Sequence, residues 1–532
     1  MKIFCFILFF SSFLVSCKQT QPLDSAKALR LNFHQSPQSF DPRKSGDIYT
    51  STLAFMLFDG LTNSNHEGKI MLSLAESVEV LNEARTYIFH IRDAKWSDGK
   101  TITAYDFEYS WKKVLSPNFP SLSAYLFFPI KNAKEVKEGL LPVDKLGISS
   151  LDEKRFRVDL EKPTPYFLEL ISFASFYPVP ENIDERAINW DKKLDSNTIV
   201  SGPFKGEKFR INRDIFLKKN ELFWDSDQVN IEAISISLIA DENLALNLFE
   251  KNELDWIGGT LSPIPTDAIA ALLKSPYSVT IQKAATLFTT FNVTKAPFTN
   301  AHIRKAFSLA INRQELVEHI SQLDDEVALS IIPSIMRDTQ KKIAFFSDYC
   351  PDKAKIHLKK GLAELGIDKH ELSAIQYLIP NIKIHQKIAQ VLQEQWYLNL
   401  GIWVQINEVD NKILLDAFSK KEYFFGQYYW VAHYNDPMNI LERFFKKSWG
   451  KNYPGWENSQ YKKIVNESLF ITEKEKRHQI LENAEKILLK EMPLCPLFHM
   501  NSLFLKSHRI QNEGVSPIRG IQPRWIKVKN ID

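Results

Sequence analysis

The stretch Trp430-Val431-Ala432-His433-Tyr434-Asn435-Asp436-Pro437 is the part of the chain from which the fold is read most directly. Tyr428 and Tyr429 precede it, so three aromatic residues stand in a row before the polar residues begin. Residues 428–430 predict a strand that presents an aromatic wall, because aromatic side chains favour strands. The polar residues after this strand are candidate functional residues.

Strands and helices alternate irregularly on both sides of this stretch, which predicts a mixed α/β class rather than a repeat array. Asp98-Gly99 predicts a tight turn, Thr103 a helix cap, and Gly60 the end of a short helix. Pro163 and Pro180 bound a run of helical size. Strands are predicted at 29–34, 86–91, 215–217, 231–239 and 286–292, and helices at 104–114, 241–254, 303–310, 383–400 and 473–491.

The first residues have the pattern of an export signal. Lys2 is followed by the apolar residues 3–15, a run that is shorter than the roughly 20 residues needed to span a bilayer. The run ends in Leu14-Val15-Ser16-Cys17, which resembles a bacterial lipobox. We therefore expect a signal peptide at 1–17, lipidation of Cys17 and a polar tether at 18–28. The alternative is an ordinary signal peptide with a chance cysteine. Either version is exported to the periplasm or the cell surface, and lipidation adds a membrane anchor.

Composition narrows the function classes. The chain has 532 residues, enough for about three domains, and 44% hydrophobic with 25% charged residues is typical of a globular protein. With 67 basic and 64 acidic residues the formal charge is +3, which does not indicate a nucleic-acid partner. After export, Cys350 and Cys495 remain, either as one disulfide or as two free buried thiols. No metal-ligand spacing surrounds them, and we expect no metal and no cofactor.

Seven segments in order resemble the extracellular solute-binding proteins of the oligopeptide and dipeptide ABC importers, over residues 29–510. The segments are Ser36-Pro37-Gln38-Ser39-Phe40-Asp41-Pro42, Phe58-Asp59-Gly60-Leu61, residues 92–107, Ser201-Gly202-Pro203-Phe204, residues 291–298, residues 303–313 and Trp430 to Pro437. The resemblance implies a two-lobed periplasmic-binding-protein-like α/β fold (type II, cluster C) of three domains with a hinge. Domain I would comprise 29–58, 200–285 and 500–532, domain II 59–199, and domain III 286–499.

The resemblance also implies a function and a site. A monomer would hold an oligopeptide between its lobes as an added strand and deliver it to the transmembrane permease subunits of an ABC importer. It would not be an enzyme, and the chain has no Gly-x-Ser-x-Gly or His-Glu-x-x-His motif. His385 and His499 are interpreted as surface or core residues. The candidate ligand-binding residues are Asp47, Ile48, Tyr125, Gln427, Tyr428, Tyr429, Trp430, His433, Tyr434, Asn435 and Asp436.

Three positions depart from the oligopeptide pattern. His433 stands where the family holds the peptide α-ammonium with an Asp, Gln427 stands where an Arg is frequent, and Gly46, beside Asp47, stands where a Glu is found. Imidazole cannot neutralise an ammonium. Either Asp436 or Asp47 supplies the carboxylate instead, or the ligand lacks a free α-ammonium there, as a modified peptide, a muropeptide or a non-peptide solute would.

The sequence is also compatible with other functions. Relatives on the same scaffold bind nickel, haem or sugar-derived ligands, and a second alternative is a surface lipoprotein without a transport role.

Overall fold

The computed structural model describes residues 28–65, 67–186, 189–337, 341–512 and 514–529. The expected signal peptide, Cys17 and residues 18–27 of the expected tether lie outside these ranges. In the described ranges, no helix combines the length and apolar character needed to cross a membrane.

The strands belong to one large sheet and three smaller ones. Their bounds are β1 Ala28–Phe33, β2 Thr62–Ser64, β3 Ile70–Leu72, β4 Ala75–Leu81, β5 Thr86–Ile91, β6 Ile148–Ser150, β7 Arg155–Asp159, β8 Phe204–Arg210, β9 Asp214–Lys219, β10 Ala233–Leu238, β11 Trp256–Gly258, β12 Ser278–Phe291, β13 Glu326–Val327, β14 Gln376–Pro380, β15 Gln405–Val409, β16 Phe425–Val431, β17 Leu494–Lys506, β18 Val515–Ser516 and β19 Gly520–Ile521.

The helices pack on these sheets. Their bounds are α1 Ile48–Leu57, α2 Ala104–Leu115, α3 Ala133–Lys137, α4 Phe167–Leu170, α5 Glu181–Arg186, α6 Glu242–Glu250, α7 Ile269–Leu272, α8 Ala301–Leu309, α9 Arg313–Glu315, α10 Pro351–Leu365, α11 Lys369–Ser373, α12 Lys383–Leu400, α13 Asn411–Lys420, α14 Met438–Leu441, α15 Ser459–Ser468 and α16 Lys474–Glu491.

Two long strands, β12 and β17, join the halves of the large sheet. The order is β15-β14-β16-β12-β17-β11-β1-β10-β9-β8, with β13 also on β17. The antiparallel register of β12 and β17 breaks between Gln282 and Thr286. One half of the sheet therefore lies on each side of an irregularity in the two strands that cross between them, and this is the place where the sheet can bend.

A separate four-stranded sheet, β4-β5-β7-β6, carries α2 on its face. The helix begins where the sequence predicts, because Thr103 and Asp106 form a reciprocal capping box. Phe107, Trp111 and Val114 are fully buried, as their common face predicts. The segment between β7 and β8 supplies α4 and the residues that face β16 and the chain after it.

The two ends of the described chain lie together in the half of the large sheet that contains β1. The guanidinium of Arg509 donates to the Ala28 carbonyl over 3.5 Å, and the Lys529 amide donates to the Arg509 carbonyl over 2.8 Å. The described part of the chain therefore begins and ends on the same half.

Most predicted elements are confirmed, including 86–91 and 383–400 at their stated bounds. Three details are wrong. Helix α1 ends at Leu57, and Gly60 does not cap it; a Cβ at Gly60 would meet the Tyr177 ring at 2.4 Å, so its small size serves packing. The run between Pro163 and Pro180 contains only the short α4 and a 3-10 turn. Helix α6 ends at Glu250 rather than near 254.

Candidate ligand-binding site

Strand β16 has an open edge. On one side it pairs with β12 along its whole length, from Phe425 to Val431. On the other side β14 pairs only with Phe425 and Gly426. Within the described ranges, no strand pairs with Tyr429 or Val431 on that side, so their backbone groups are available to an added strand.

The register shows which backbone groups face the open edge. The Ala432 amide donates to the Ala284 carbonyl over 2.8 Å, in the same register that places Val431 opposite Ala285. Opposed residues in an antiparallel pair alternate between hydrogen-bonded and non-hydrogen-bonded. Trp430 and Tyr428 therefore bond to β12, whereas the N–H and C=O groups of Tyr429 and Val431 point away from β12, towards the open edge.

Directly after β16 the chain is fixed by Asn439. Its side-chain oxygen accepts from the Trp430 indole N–H over 3.1 Å and from the His433 amide over 3.4 Å. Trp430 is buried, and Pro437 precedes the first turn of α14. These contacts show that part of the stretch Trp430 to Pro437 serves to fix the backbone at the end of β16.

Asp436 forms a buried ion pair. Its two oxygens accept from the guanidinium of Arg477, one of them over 2.9 Å, and one also accepts from the Met438 amide over 2.8 Å. Both side chains are nearly inaccessible to water. Arg477 already neutralises Asp436, which argues against Asp436 as a free counter-ion for a ligand ammonium, and its place in the ligand site stays a prediction.

The next two side chains contact the segment between β7 and β8. The Tyr434 ring stacks on Tyr166, with centroids 5.2 Å apart and planes at 1°. The His433 imidazole meets the edge of Phe173 at 5.5 Å. The guanidinium of Arg477 lies 5.3 Å from the Tyr166 centroid. The chain after β16 and the residues around α4 thus close on each other.

A cluster of tyrosines and charged side chains borders this contact. The Lys451 amine lies 3.6 Å from the centroid of the Tyr125 ring, and Tyr428 packs edge-on against Tyr453 at 5.2 Å. Arg443 is near enough to influence Tyr125, Tyr428 and Tyr453 electrostatically. We call Tyr125, Tyr428, His433, Glu442, Arg443, Lys451 and Tyr453 the tyrosine–cation cluster.

Burial changes the protonation of this cluster. Burial first, and then the charges of Lys451 and Arg443, lower the pKa of His433 to about 3, so its imidazole is neutral at pH 7. Burial raises the pKa of Glu442 to about 7. Lys451 is exposed as a residue, but burial of its amine end beside Tyr125 lowers its pKa to about 7.

Gln427 lies on the opposite face of β16 and is fully buried. Within the described chain, neither its amide oxygen nor its amide nitrogen has a hydrogen-bond partner of full geometry, and the same holds for Nδ1 of His385. The two side chains are close enough that Gln427 favours protonation of His385, although burial lowers the His385 pKa to about 4. Tyr429 lies next to them, 6.0 Å from the His385 ring.

The residues near Gly46 have structural roles. The Asp47 carboxylate caps α1, accepting from the Thr50 amide over 2.8 Å and from the Thr50 hydroxyl over 2.6 Å. A Cβ at Gly46 would meet Leu122 at 2.4 Å, so Leu122 fills the space of a larger side chain. Both Asp47 oxygens thus accept hydrogen bonds from Thr50, Ile48 is exposed beside it, and a contact of either residue with a ligand stays a prediction.

The structure thus brings together only part of the predicted set. Tyr125, Tyr428, His433 and Tyr434 meet across the contact, and the backbone of Tyr429 faces the open edge. Trp430 and Asp436 hold the chain, Asp47 caps a helix, and for the half-buried Asn435 no side-chain hydrogen bond is found in the described chain. Sequence reasoning missed Phe173, Glu442, Arg443, Lys451 and Tyr453. The charged pair Glu442-Arg443 follows soon after Pro437, and this nearness in sequence could have suggested that the pair belongs to the site.

Other candidate features lie elsewhere. A cavity of about 620 Å³ is lined by Asp324, Asp325, Glu326 and neighbouring residues, beside β13. The described residues contain no group of three or more His, Cys, Asp or Glu side chains that could hold a metal ion. Cys350 and Cys495 are free thiols, the first half-buried and the second buried. His385 and His499 are buried core residues.

Comparison with known proteins identifies the family. The family model for the middle part of the bacterial extracellular solute-binding proteins, family 5, matches residues 69–452. The chain belongs to this family. The oligopeptide-binding protein OppA of Bacillus subtilis is 33% identical over 91% of this chain and 89% of its own length. The dipeptide-binding protein DppE of the same organism is 27% identical, over 94% of this chain and 91% of its own.

Solved structures agree on the fold. OppA of Haemophilus influenzae in complex with the peptide RPPGFSPFR has a TM-score of 0.78 at 25% identity, covering 95% of this chain and 100% of that one. The murein tripeptide binding protein MppA of Escherichia coli has a TM-score of 0.80 at 24% identity, over 94% and 98% of the two chains. The solute-binding chain therefore has the two-lobed fold of these proteins, and the family consists of binding proteins.

Proposed function

We propose that this solute-binding chain captures peptides and delivers them to the transmembrane permease of an ABC importer. The observation that carries the proposal is the open edge of β16, where the backbone groups of Tyr429 and Val431 point away from β12. A peptide added there would form main-chain hydrogen bonds whatever its side chains are. The names of the relatives, an oligopeptide-binding and a dipeptide-binding protein, support this.

The proposed capture uses the whole fold. Residues 29–58, 200–285 and 500–532 would form domain I, 59–199 domain II, and 286–499 domain III. The break between Gln282 and Thr286 in β12 supports a hinge at the domain I–III boundary. In this proposal the protein is a monomer and not an enzyme. It needs no cofactor and is tethered to a membrane through lipidated Cys17.

One observation favours a modified ligand over an ordinary free peptide. His433 is neutral, and the nearest carboxylate of the stretch, Asp436, is already paired with Arg477. An ammonium at this place would meet the cations Arg443 and Lys451, and the Glu442 carboxyl near them is only partly ionised at pH 7, because burial raises its pKa to about 7. A peptide without a free α-ammonium there, such as a blocked peptide or a muropeptide, fits better than one that has it.

A peptide series tests the strand-addition proposal. The probes are tetrapeptides with free and with acetylated N-termini, together with muropeptides, and the readout is thermal stabilisation followed by calorimetry. A ligand at 100 times its Kd should add about 2.7 kcal/mol to the free energy of unfolding. Absence of stabilisation by every form of every peptide contradicts the proposed function.

A backbone scan refines the result. The best peptide is N-methylated at one amide at a time, which removes a donor and leaves the side chains intact. Because successive residues of a strand face opposite edges, the losses in affinity should alternate along the peptide. Equal losses at every position, or none, contradict strand addition.

A further inference from the structure

The charged side chains of the tyrosine–cation cluster, in the described chain, form no close ion pair. Within the described chain, no ion pair within 4 Å involves Glu442, Arg443 or Lys451, although these three residues influence one another electrostatically. The amine of Lys451 instead lies over the Tyr125 ring at 3.6 Å. Charges that are partly removed from water without a counter-ion are costly, so the cluster is suited to receive one from a ligand.

The net charge of the cluster is positive. Arg443 is always charged, while Lys451 and Glu442 have pKa values near 7 and largely cancel at that pH. His433 is neutral. Asp436 does not contribute, because Arg477 neutralises it. The remaining charge is about +1 on the guanidinium, which acts electrostatically on Tyr428 and His433.

The surroundings of this charge fit a carboxylate. The guanidinium plane can donate two parallel hydrogen bonds to a carboxylate, and an ammonium can add a third. Phe173 and the rings of Tyr125, Tyr428 and Tyr453 border the place, and such partly dry surroundings strengthen the attraction between opposite charges. Arg443 and Lys451 would repel a ligand ammonium, and Glu442 would offset only part of that repulsion.

We propose that Arg443 and Lys451 bind a carboxylate of the ligand beside His433, where the resemblance to the oligopeptide-binding family implies an ammonium site. The inference rests on the proposed function, since it assumes a peptide on the edge of β16. The carboxylate has two possible sources. It is an acidic group attached at the N-terminal end of the bound strand, or it is the C-terminal carboxylate of a peptide that runs in the opposite direction.

One tetrapeptide in four forms tests the proposal, with Kd measured by calorimetry on the purified protein. The N-succinyl amide carries a carboxylate at one end, the N-acetyl acid at the other, the N-acetyl amide has no charge, and the free-amine amide carries only an ammonium. We expect one of the two anionic forms to bind at least about tenfold tighter than the uncharged form, because a charge-assisted hydrogen bond contributes more than a neutral one. The anionic form that wins identifies the source.

The four peptide forms can also contradict the proposal. If the free-amine amide binds most tightly, or if all four forms bind equally, the proposal is wrong while the proposed function stands. If no form binds, the proposed function fails as well. The comparison is made on the unaltered protein, so it does not depend on whether any variant folds.

Variants then assign the residues. Arg443→Gln and Lys451→Gln should each reduce the preference for the anionic form by about tenfold and leave the Kd of the uncharged form nearly unchanged. Lys446→Gln is the matched control, since Lys446 is an exposed residue of the same segment. Preference that survives both cluster variants, or that falls equally in the control, contradicts the assignment.

Glu442 provides the opposite test. Glu442→Gln removes the negative charge of the cluster, so binding of the anionic form should stay equal or become tighter. If Glu442 instead anchored a ligand ammonium, this variant would weaken the free-amine form by tenfold or more and leave the anionic forms weak. That result would reverse the proposed polarity of the site.

Discussion

At the scale of single residues, Asp436 belongs to the stretch Trp430 to Pro437, but its side chain has a structural role. It is buried with Arg477, which lies 41 residues further along the chain. The sequence places Asp436 beside His433 but cannot show that a distant arginine approaches it. Local sequence likewise does not show that the Asp47 carboxylate caps α1.

Asp436→Asn should therefore lower the free energy of unfolding by about 3–5 kcal/mol, because it leaves the Arg477 guanidinium buried without a counter-ion. Denaturant titration of the free protein measures this. Asp416→Asn is the control, because Asp416 pairs with Lys420 on an exposed helix face, where water screens the pair and its loss should change stability little. Similar costs for the two variants would show that the buried pair is not special.

His433→Asp should redirect ligand preference. A carboxylate at this position would meet Arg443 and Lys451 and cancel the positive charge of the cluster, so free-amine peptides should gain about tenfold in affinity relative to acidic ones. His433→Asn changes the shape without adding a charge and should preserve the original ranking. Calorimetry with the four peptide forms measures both variants, and a His433→Asp protein with unchanged ranking would contradict the role given to this position.

At the scale of elements, the starts of helices were predictable, whereas pairing across the sheet was not. Thr103 and Asn300 carry their own cap signals, and the structure places helices directly after both. Strand β12 was predicted only from 286, yet it begins at Ser278, because the first part is stabilised by β17, more than 200 residues away. The open edge of β16 likewise depends on where β14 stops, which local sequence does not reveal.

Val431→Pro tests the open edge without breaking the ladder. Val431 belongs to a non-hydrogen-bonded pair with Ala285, so loss of its N–H should leave the bonds to β12 intact. We expect every peptide to lose about 1 kcal/mol of binding free energy, roughly fivefold in Kd, whatever its side chains. Val431→Ala controls for the lost side chain. Equal affinity of the proline and alanine variants would place the peptide elsewhere.

At the scale of the whole molecule, the residues around α4 meet the chain after β16 through aromatic and charged side chains. Tyr166, Glu169 and Phe173 lie on one side, and His433, Tyr434 and Arg477 on the other. Burial raises the pKa of Glu169 to about 7, with a further rise from Asp436 across the contact, while Lys474 and Arg477 oppose it. The closed form thus holds the Glu169 proton more tightly than a solvated open form, whose carboxyl has an ordinary pKa near 4.3.

Glu169 therefore makes closure more favourable at low pH than at high pH. The contribution of Glu169 to closure is fully present below about pH 4 and is lost as the pH rises through 7. Small-angle scattering of the ligand-free protein should therefore show a smaller radius of gyration at pH 5 than at pH 7.5. Glu169→Gln should reduce this difference, whereas Glu138→Gln, at an exposed position directly after α3, should not. A pH response that is identical in all three proteins would exclude Glu169 as its source.

Both ends of the described chain lie on the half that contains β1. If Cys17 carries the lipid, the ten residues from 18 to 27 can reach at most about 36 Å, so the β1 half stays close to the bilayer surface. This tether does not join the half that contains β16, which is connected to the β1 half through β12 and β17. Opening would then move the half that contains β16, while the β1 half stays near the membrane. A permease in that membrane would therefore meet a binding protein whose orientation is already restricted.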